Sequence, residues 1–190
     1  MVKQRKKRSF ATSNPSQPVL PMPERSFRLT FPDLLTFANL GCGVLALFFL
    51  SLGNTTLAAL LILLGVVFDY FDGKVARLLD QESKLGEYLD SFADLITFGV
   101  AVGFLFYHTH ASLPSLFLVL FFIGAGAYRL ARYHLLKAQG FQGYLGMPIT
   151  MNGIVFPLLL LFSVPSVFLV FWIGFSTIAM VSSVYIKKIG

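Results

Sequence analysis

Cysteine, histidine, tryptophan and charge are all scarce in this 190-residue chain, which holds one Cys, three His and one Trp and is only 13% charged. A single cysteine, Cys42, inside an apolar run, excludes a disulfide framework and a cysteine-based metal site and leaves that side chain a packing role. So little charge also excludes an ordinary soluble surface. The chain is 56% hydrophobic and 15% aromatic, with a mean hydropathy of +0.74, and that is more apolar surface than one small soluble core can bury. Only about 30 residues at the N-terminus lie outside the hydrophobic region. No length remains for a separate soluble catalytic domain, so any chemistry has to sit among membrane helices.

The net charge of +6 does not point to nucleic acid, because of where the charges fall. Lys3, Arg5, Lys6, Lys7 and Arg8 open the chain, and Arg25 and Arg28 follow a Ser/Pro-rich stretch. Residues 1–31 therefore read as a basic cytoplasmic tail, disordered or lying against an anionic membrane face, and residues 32–190 as a membrane domain. The basic start is not followed by the apolar core of a signal peptide.

Apolar runs and their breakers predict an all-α membrane protein with six spans, at about 34–52, 55–79, 84–107, 113–137, 145–163 and 165–186. The connections at Gly53-Asn54, His108 to Ala111 and Val164-Pro165 carry no Lys or Arg. All 15 fall in the N-terminus, the 74–84 and 129–137 regions and Lys187-Lys188. With an even number of spans, both termini and every basic residue lie on the cytoplasmic side, as the positive-inside rule expects.

Most of the nine acidic residues lie between positions 69 and 94, and Asp69, Asp72, Asp90 and Asp94 belong to segments that otherwise read as membrane helix. Each ionised residue near a helix centre costs about 2.5–3.5 kcal/mol on insertion scales, so four of them need counter-charges. Helical spacing puts Asp69, Asp72, Gly73 and Ala76 on one face of the second span and Gly86, Asp90 and Asp94 on one face of the third. Folding the two spans back on a turn near 80–83 brings Asp69 level with Asp94 and Asp72 level with Asp90. An all-oxygen set with no His or Cys nearby suits Mg²⁺, Mn²⁺ or Ca²⁺, and two such ions balance four charges. The small residues Gly73, Ala76 and Gly86 leave room for a ligand to approach the backbone. The alternative is that the aspartates only pair with Lys74, Arg77 and Lys84.

Written out, Asp69-x2-Asp72-Gly73-x2-Ala76-Arg77-x8-Gly86-x3-Asp90-x3-Asp94 resembles the signature of the CDP-alcohol phosphotransferase family. Within that family the stretches Pro32 to Asn39, Leu89 to Asp94 running into Phe98-Gly99, Arg129 to Tyr133, and Phe141 through Gly146-Met147-Pro148 are most similar to the small integral-membrane phosphatidylserine synthases. The resemblance implies a metal-dependent transfer of a phosphatidyl group, or its ether-lipid equivalent, from a CDP-activated lipid to L-serine with release of CMP. Sister enzymes use glycerol phosphate, inositol phosphate or another alcohol, and a divalent-cation carrier is a remote alternative that does not explain the Gly, Ala and Arg positions. The resemblance also implies that Asp69, Asp72 and Asp90 are metal ligands and that Asp94 both binds metal and acts as general base. It implies as well a homodimer, and the charge placement puts the active site on the cytoplasmic face of the cell membrane.

On the same reading Thr36, Asn39, Gly73, Ala76, Arg77 and Gly86 form the nucleotide side, with Ser83 and Lys84 near the turn. Arg129 and Arg132, at i and i+3 in the fourth span, call for an anion. It is serine's carboxylate, an acceptor phosphate, the pyrophosphate or one of the chain's own acids, and serine's carboxylate is the first choice. His134 lies near these arginines, whereas His108 and His110 fall on the opposite side from the carboxylates. Gly124 and Gly126 permit close helix contact, either between copies or within one.

Overall fold

The computed structural model describes residues 29–140 and 143–186, apart from the side chains of Tyr144 and Ile186. The basic stretch from Lys3 to Arg28, Phe141 and the Lys187-Lys188 pair lie outside the described residues.

Helix starts follow local capping chemistry. The Thr30 N–H and hydroxyl both donate to Asp33 Oδ2, at 2.6 and 2.9 Å. This Thr-x-x-Asp start satisfies a donor that the first turn leaves without a partner, and α1 runs Phe31–Ser51. Asn54 Oδ1 accepts from the Leu57 N–H at 3.0 Å at the start of α2, Thr55–Leu78. After a turn in which Asp80 takes a positive φ of 51°, Ser83 Oγ accepts from the Gly86 N–H at 2.9 Å and opens α3, Lys84–Asp94. The helix continues through a π-helical segment, Leu95–Ala101, into α4, Val102–Thr109. Then come α5, Leu113–Ala138, capped by Ser112, α6, Thr150–Leu161, and α7, Ser166–Val181. Two short strands, β1 Tyr144–Leu145 and β2 Tyr185–Ile186, pair antiparallel in an otherwise helical fold.

Among the described residues, α1, α2, the continuous stretch Lys84–Thr109 and α5 are long and apolar enough to cross a membrane, which is the character of an integral membrane protein. The expected fifth and sixth spans are shorter than the hydropathy suggests. α6 and α7 have 12 and 16 residues, below the roughly 20 that a straight span needs. The ends have other uses. Leu145 joins β1, Gly146 turns the chain at φ 73°, and Ser163 at φ 53° ends the run before Pro165. Beyond α7, Tyr185 pairs back onto Leu145.

The third span is the centre of the fold, with more than half of its apolar stretch buried. Phe98, Val102, Leu105 and Phe106 are fully buried and pack with Ile62, Phe122, Ile149, Phe156 and Ile173 from the surrounding helices. Its π-helical segment is pressed against α1 and α2. A Cβ on Gly43 would overlap Thr97, and one on Gly65 would stand 2.8 Å from Thr97 Cγ2 and 2.9 Å from Asn39 Oδ1. Large apolar side chains such as Phe117, Phe121, Phe171 and Ile178 cover the outside, as a lipid-facing surface requires. Cys42 is buried and free.

Candidate active site

The antiparallel pairing of α2 with α3 about the turn at 79–83 determines where the acids meet. Asp69 and Asp72 lie in the last turns of α2, and Asp90 and Asp94 in α3. One carboxylate oxygen each from Asp69, Asp72 and Asp90 lie within 4.8 Å of one another. Asp94 joins the group through a side-chain contact with Asp69, which also meets Asp90. Asp72 and Asp94 are nearly buried, at 5% and 7% exposure. Carboxylates this close repel one another in a low-dielectric setting unless a proton or a cation stands among them.

The three cations nearest in sequence do not supply that charge. Lys74, Arg77 and Lys84 make no ion pair with these aspartates among the described residues. Asp90 Oδ1 is buried and receives no hydrogen bond from the described chain. A hard-oxygen cluster with an unsatisfied inward oxygen fits a divalent cation of the Mg²⁺, Mn²⁺ or Ca²⁺ type.

α1 holds the cluster from the third side. Thr36 Oγ1 donates to Asp72 Oδ2 at 2.9 Å, and Asn39 Nδ2 approaches Asp94 Oδ1 at 3.4 Å. Asn39 is itself fixed, because its backbone carbonyl accepts from Thr97 Oγ1 at 3.0 Å in the π-helical segment. Asn39 thus lies beside Asp94 at full burial, whereas Thr36, Gly73, Ala76, Arg77 and Gly86 line an open cleft.

That cleft, of about 470 Å³, reaches from Asp72 and Asp90 out to the α2–α3 turn. A Cβ on Gly73 would meet nothing within 4 Å, so its backbone is open to a ligand. Gly86 differs from the expectation of free space: a Cβ there would stand 2.9 Å from Asp33 Oδ1, so its smallness serves helix packing as well. Asp33, Glu87, Tyr133 and Lys137 also line the cleft. Sequence reasoning did not assign them to the site, although the Thr-x-x-Asp cap marks Asp33 as a helix-starting residue.

Arg129 and Arg132 lie outside this cleft and border a smaller pocket beside it, which shares Tyr133 and Lys137 with the cleft. Arg132 is engaged by backbone: Nη1 donates to the Val181 carbonyl at 3.0 Å, and Nη2 approaches those of Leu145, Met180 and Ser182 at 3.1, 3.2 and 2.9 Å. Its charge therefore sits on the carbonyl end of α7, where a cation is favoured. His134 Nε2 is 2.8 Å from Ser91 Oγ, and its Nδ1 is 3.4 Å from Glu87 Oε1. His108 and His110 lie at the far end of the third span, with His110 stacked on Phe106. Gly126 packs inward against Ile149, while Gly124 meets nothing.

The sequence model of the family described as CDP-alcohol phosphatidyltransferase matches residues 29–185. The chain is also similar to proteins named CDP-diacylglycerol–serine O-phosphatidyltransferase. One from Bacillus subtilis is 38% identical over 125 residues, covering 64% of this chain and 70% of that protein. One from Methanocaldococcus jannaschii is 35% identical over 127 residues, covering 67% of this chain and 58% of that protein. One from Saccharomyces cerevisiae is 43% identical over 79 residues, covering 41% and 29%.

Proposed function

Because the chain belongs to the CDP-alcohol phosphatidyltransferase family, we propose that it transfers a phosphatidyl group, or its ether-lipid equivalent, from a CDP-activated lipid to L-serine and releases CMP. The observation that carries this reading is the meeting of four aspartates, two of which, Asp72 and Asp90, line a cleft of about 470 Å³ while Asp69 and Asp94 join them from outside its lining. The printed names of the similar proteins support serine as the acceptor.

Asp69, Asp72 and Asp90, with Asp94, would hold two divalent cations, Mg²⁺ or Mn²⁺, with Ca²⁺ as an alternative occupant. When bound, such ions clamp phosphoryl oxygens and neutralise the charge that develops on the leaving nucleotide. Thr36 holds the Asp72 carboxylate in place, and Asn39 orients Asp94. Gly73 and Ala76 let the nucleotide approach the backbone of α2, Arg77 meets its phosphate or ribose, and Gly86 keeps the wall of the cleft close. Asp94 takes the proton of the attacking hydroxyl as that oxygen bonds to the lipid-linked phosphorus. The bond to CMP breaks, and CMP leaves with the electron pair. Arg129 draws the acceptor's anionic group toward the smaller pocket, and Arg132 builds that pocket's wall.

The same reading includes six spans, with α6 and α7 completing the crossing together with their flanking residues, and both termini in the cytoplasm. Residues 1–31 form a basic cytoplasmic tail and 32–190 the catalytic membrane domain, which works as a homodimer in the cell membrane with its cleft facing the cytoplasm. CMP release from one CDP-lipid with a panel of alcohols tests the activity. Serine-dependent release that stops on chelation and returns with Mg²⁺ or Mn²⁺ is expected. Release with glycerol phosphate or inositol phosphate instead would assign a sister reaction, and full turnover after rigorous chelation would remove the metal from the mechanism.

A further inference from the structure

An ion pair stands on the wall of the cleft, one helical turn from Asp90, and the mechanism above leaves it unused. Glu87 Oε1 lies 2.8 Å from Lys137 Nζ across the α3–α5 boundary and 3.4 Å from His134 Nδ1. Helix packing alone does not require a charged pair that opens onto a cleft, because an ion pair whose lysine is half exposed contributes little to stability. Both partners line the cleft, and Lys137 also borders the smaller pocket with Arg129.

We infer that Glu87 and Lys137 read the acceptor as a zwitterion, with Glu87 taking its ammonium and Lys137, together with Arg129, its carboxylate; this rests on the serine reading above. An amino acid carries both charges on one carbon, so it can lie head-to-tail across an opposed carboxylate–ammonium pair and extend it into a closed cycle of four charges. The Glu87 carboxylate has accepting capacity beyond the two contacts made by Oε1. His134, hydrogen-bonded to Ser91 and stacked on Tyr88 with ring centroids 4.7 Å apart, holds Glu87 from behind. The carboxylate also discriminates against competitors. A phosphate-bearing acceptor brings only negative charge to this wall and is repelled by Glu87, and an acceptor without an amine covers Glu87 without giving it a new donor.

The test measures kcat/KM of the full chain for L-serine, 3-hydroxypropanoate, ethanolamine and glycerol 3-phosphate by CMP release from one CDP-lipid. Wild-type protein is expected to favour serine over 3-hydroxypropanoate, which lacks the ammonium, by about 10²-fold or more. Glu87→Gln is expected to reduce that preference to a few-fold, raise the serine KM at least about ten-fold, and leave the CDP-lipid KM within about two-fold. Lys137 is half exposed, at 53%, so Lys137→Met tests the same site without burdening the fold. It is expected to lower the preference for serine over ethanolamine by about ten-fold. Unchanged discrimination in either variant, or an equal loss for all four acceptors, overturns the inference while leaving serine as the acceptor. Wild-type protein that uses glycerol 3-phosphate and not serine overturns the functional reading, and this inference with it.

Discussion

At the scale of single residues, the aspartates divide by what surrounds them. Asp72 faces the cleft and takes one hydroxyl from Thr36, whereas Asp94 is buried behind it between Asn39 and Asp69. Asp94→Asn keeps the volume and removes the proton acceptor. CMP release is expected to fall by about 10²–10⁴-fold while CDP-lipid binding persists, and single-turnover kinetics beside a binding isotherm check both. Thr36→Val removes the hydroxyl that donates to Asp72 at 2.9 Å and reaches the Pro32 carbonyl at 3.4 Å. Because groups that orient ligands tune metal affinity, the Mg²⁺ concentration for half-maximal activity is expected to rise by about 10–100-fold with maximal rate largely restored at high metal. A metal titration of the variant reads this directly. Arg129→Lys keeps the charge but loses the planar pair of donors, so the serine KM is expected to rise more than the CDP-lipid KM. Parallel KM measurements decide it, and a larger change for the CDP-lipid would move Arg129 to the pyrophosphate.

At the scale of elements, the π-helical segment Leu95–Ala101 follows directly on Asp94 and carries Thr97 onto α1. A wider helical turn there shifts the register between the polar α3 and the apolar α4, and such insertions concentrate at functional sites. Gly43 and Gly65 admit this contact by having no side chain. Gly65→Ala would place a methyl group 2.8 Å from Thr97 and 2.9 Å from Asn39. Overpacking of this kind costs about 1–3 kcal/mol, so a lower Tm in detergent is expected, together with weaker activity through displaced Asn39. A Tm equal to that of the unaltered protein would mean that the junction yields without strain. Arg132 plays a comparable part beside the cleft, gathering carbonyls from α7 and Leu145 around one guanidinium.

At the scale of the whole molecule, the acids, the cleft and the α2–α3 turn lie at one end of the helices, and Asn54, His108 and His110 at the other. A helix of 24 residues such as α2 is about 36 Å long, enough to separate the two faces of a bilayer. Asn54→Cys and Glu82→Cys, each in a Cys42→Ser background, are therefore expected to react with an impermeant thiol reagent from opposite sides of the membrane. Reaction of both from the same side would overturn the topology and the cytoplasmic cleft together.

The helical character, the first four spans and the meeting of the aspartates were legible in the sequence because they depend on local periodicity. A 3.6-residue repeat fixes which side chains share a face, and the distance of each acid from the turn fixes its depth. Tertiary structure decided what no local pattern encodes. It shortened α6 and α7 by drawing Leu145 and Tyr185 into a strand pair, committed Arg132 to carbonyls, and set Asn39 against Asp94. It also brought Glu87 on α3 to Lys137 on α5 across a helix boundary. Two long polar side chains on separate helices have many possible partners, and only the packing of the buried apolar faces between them selects one.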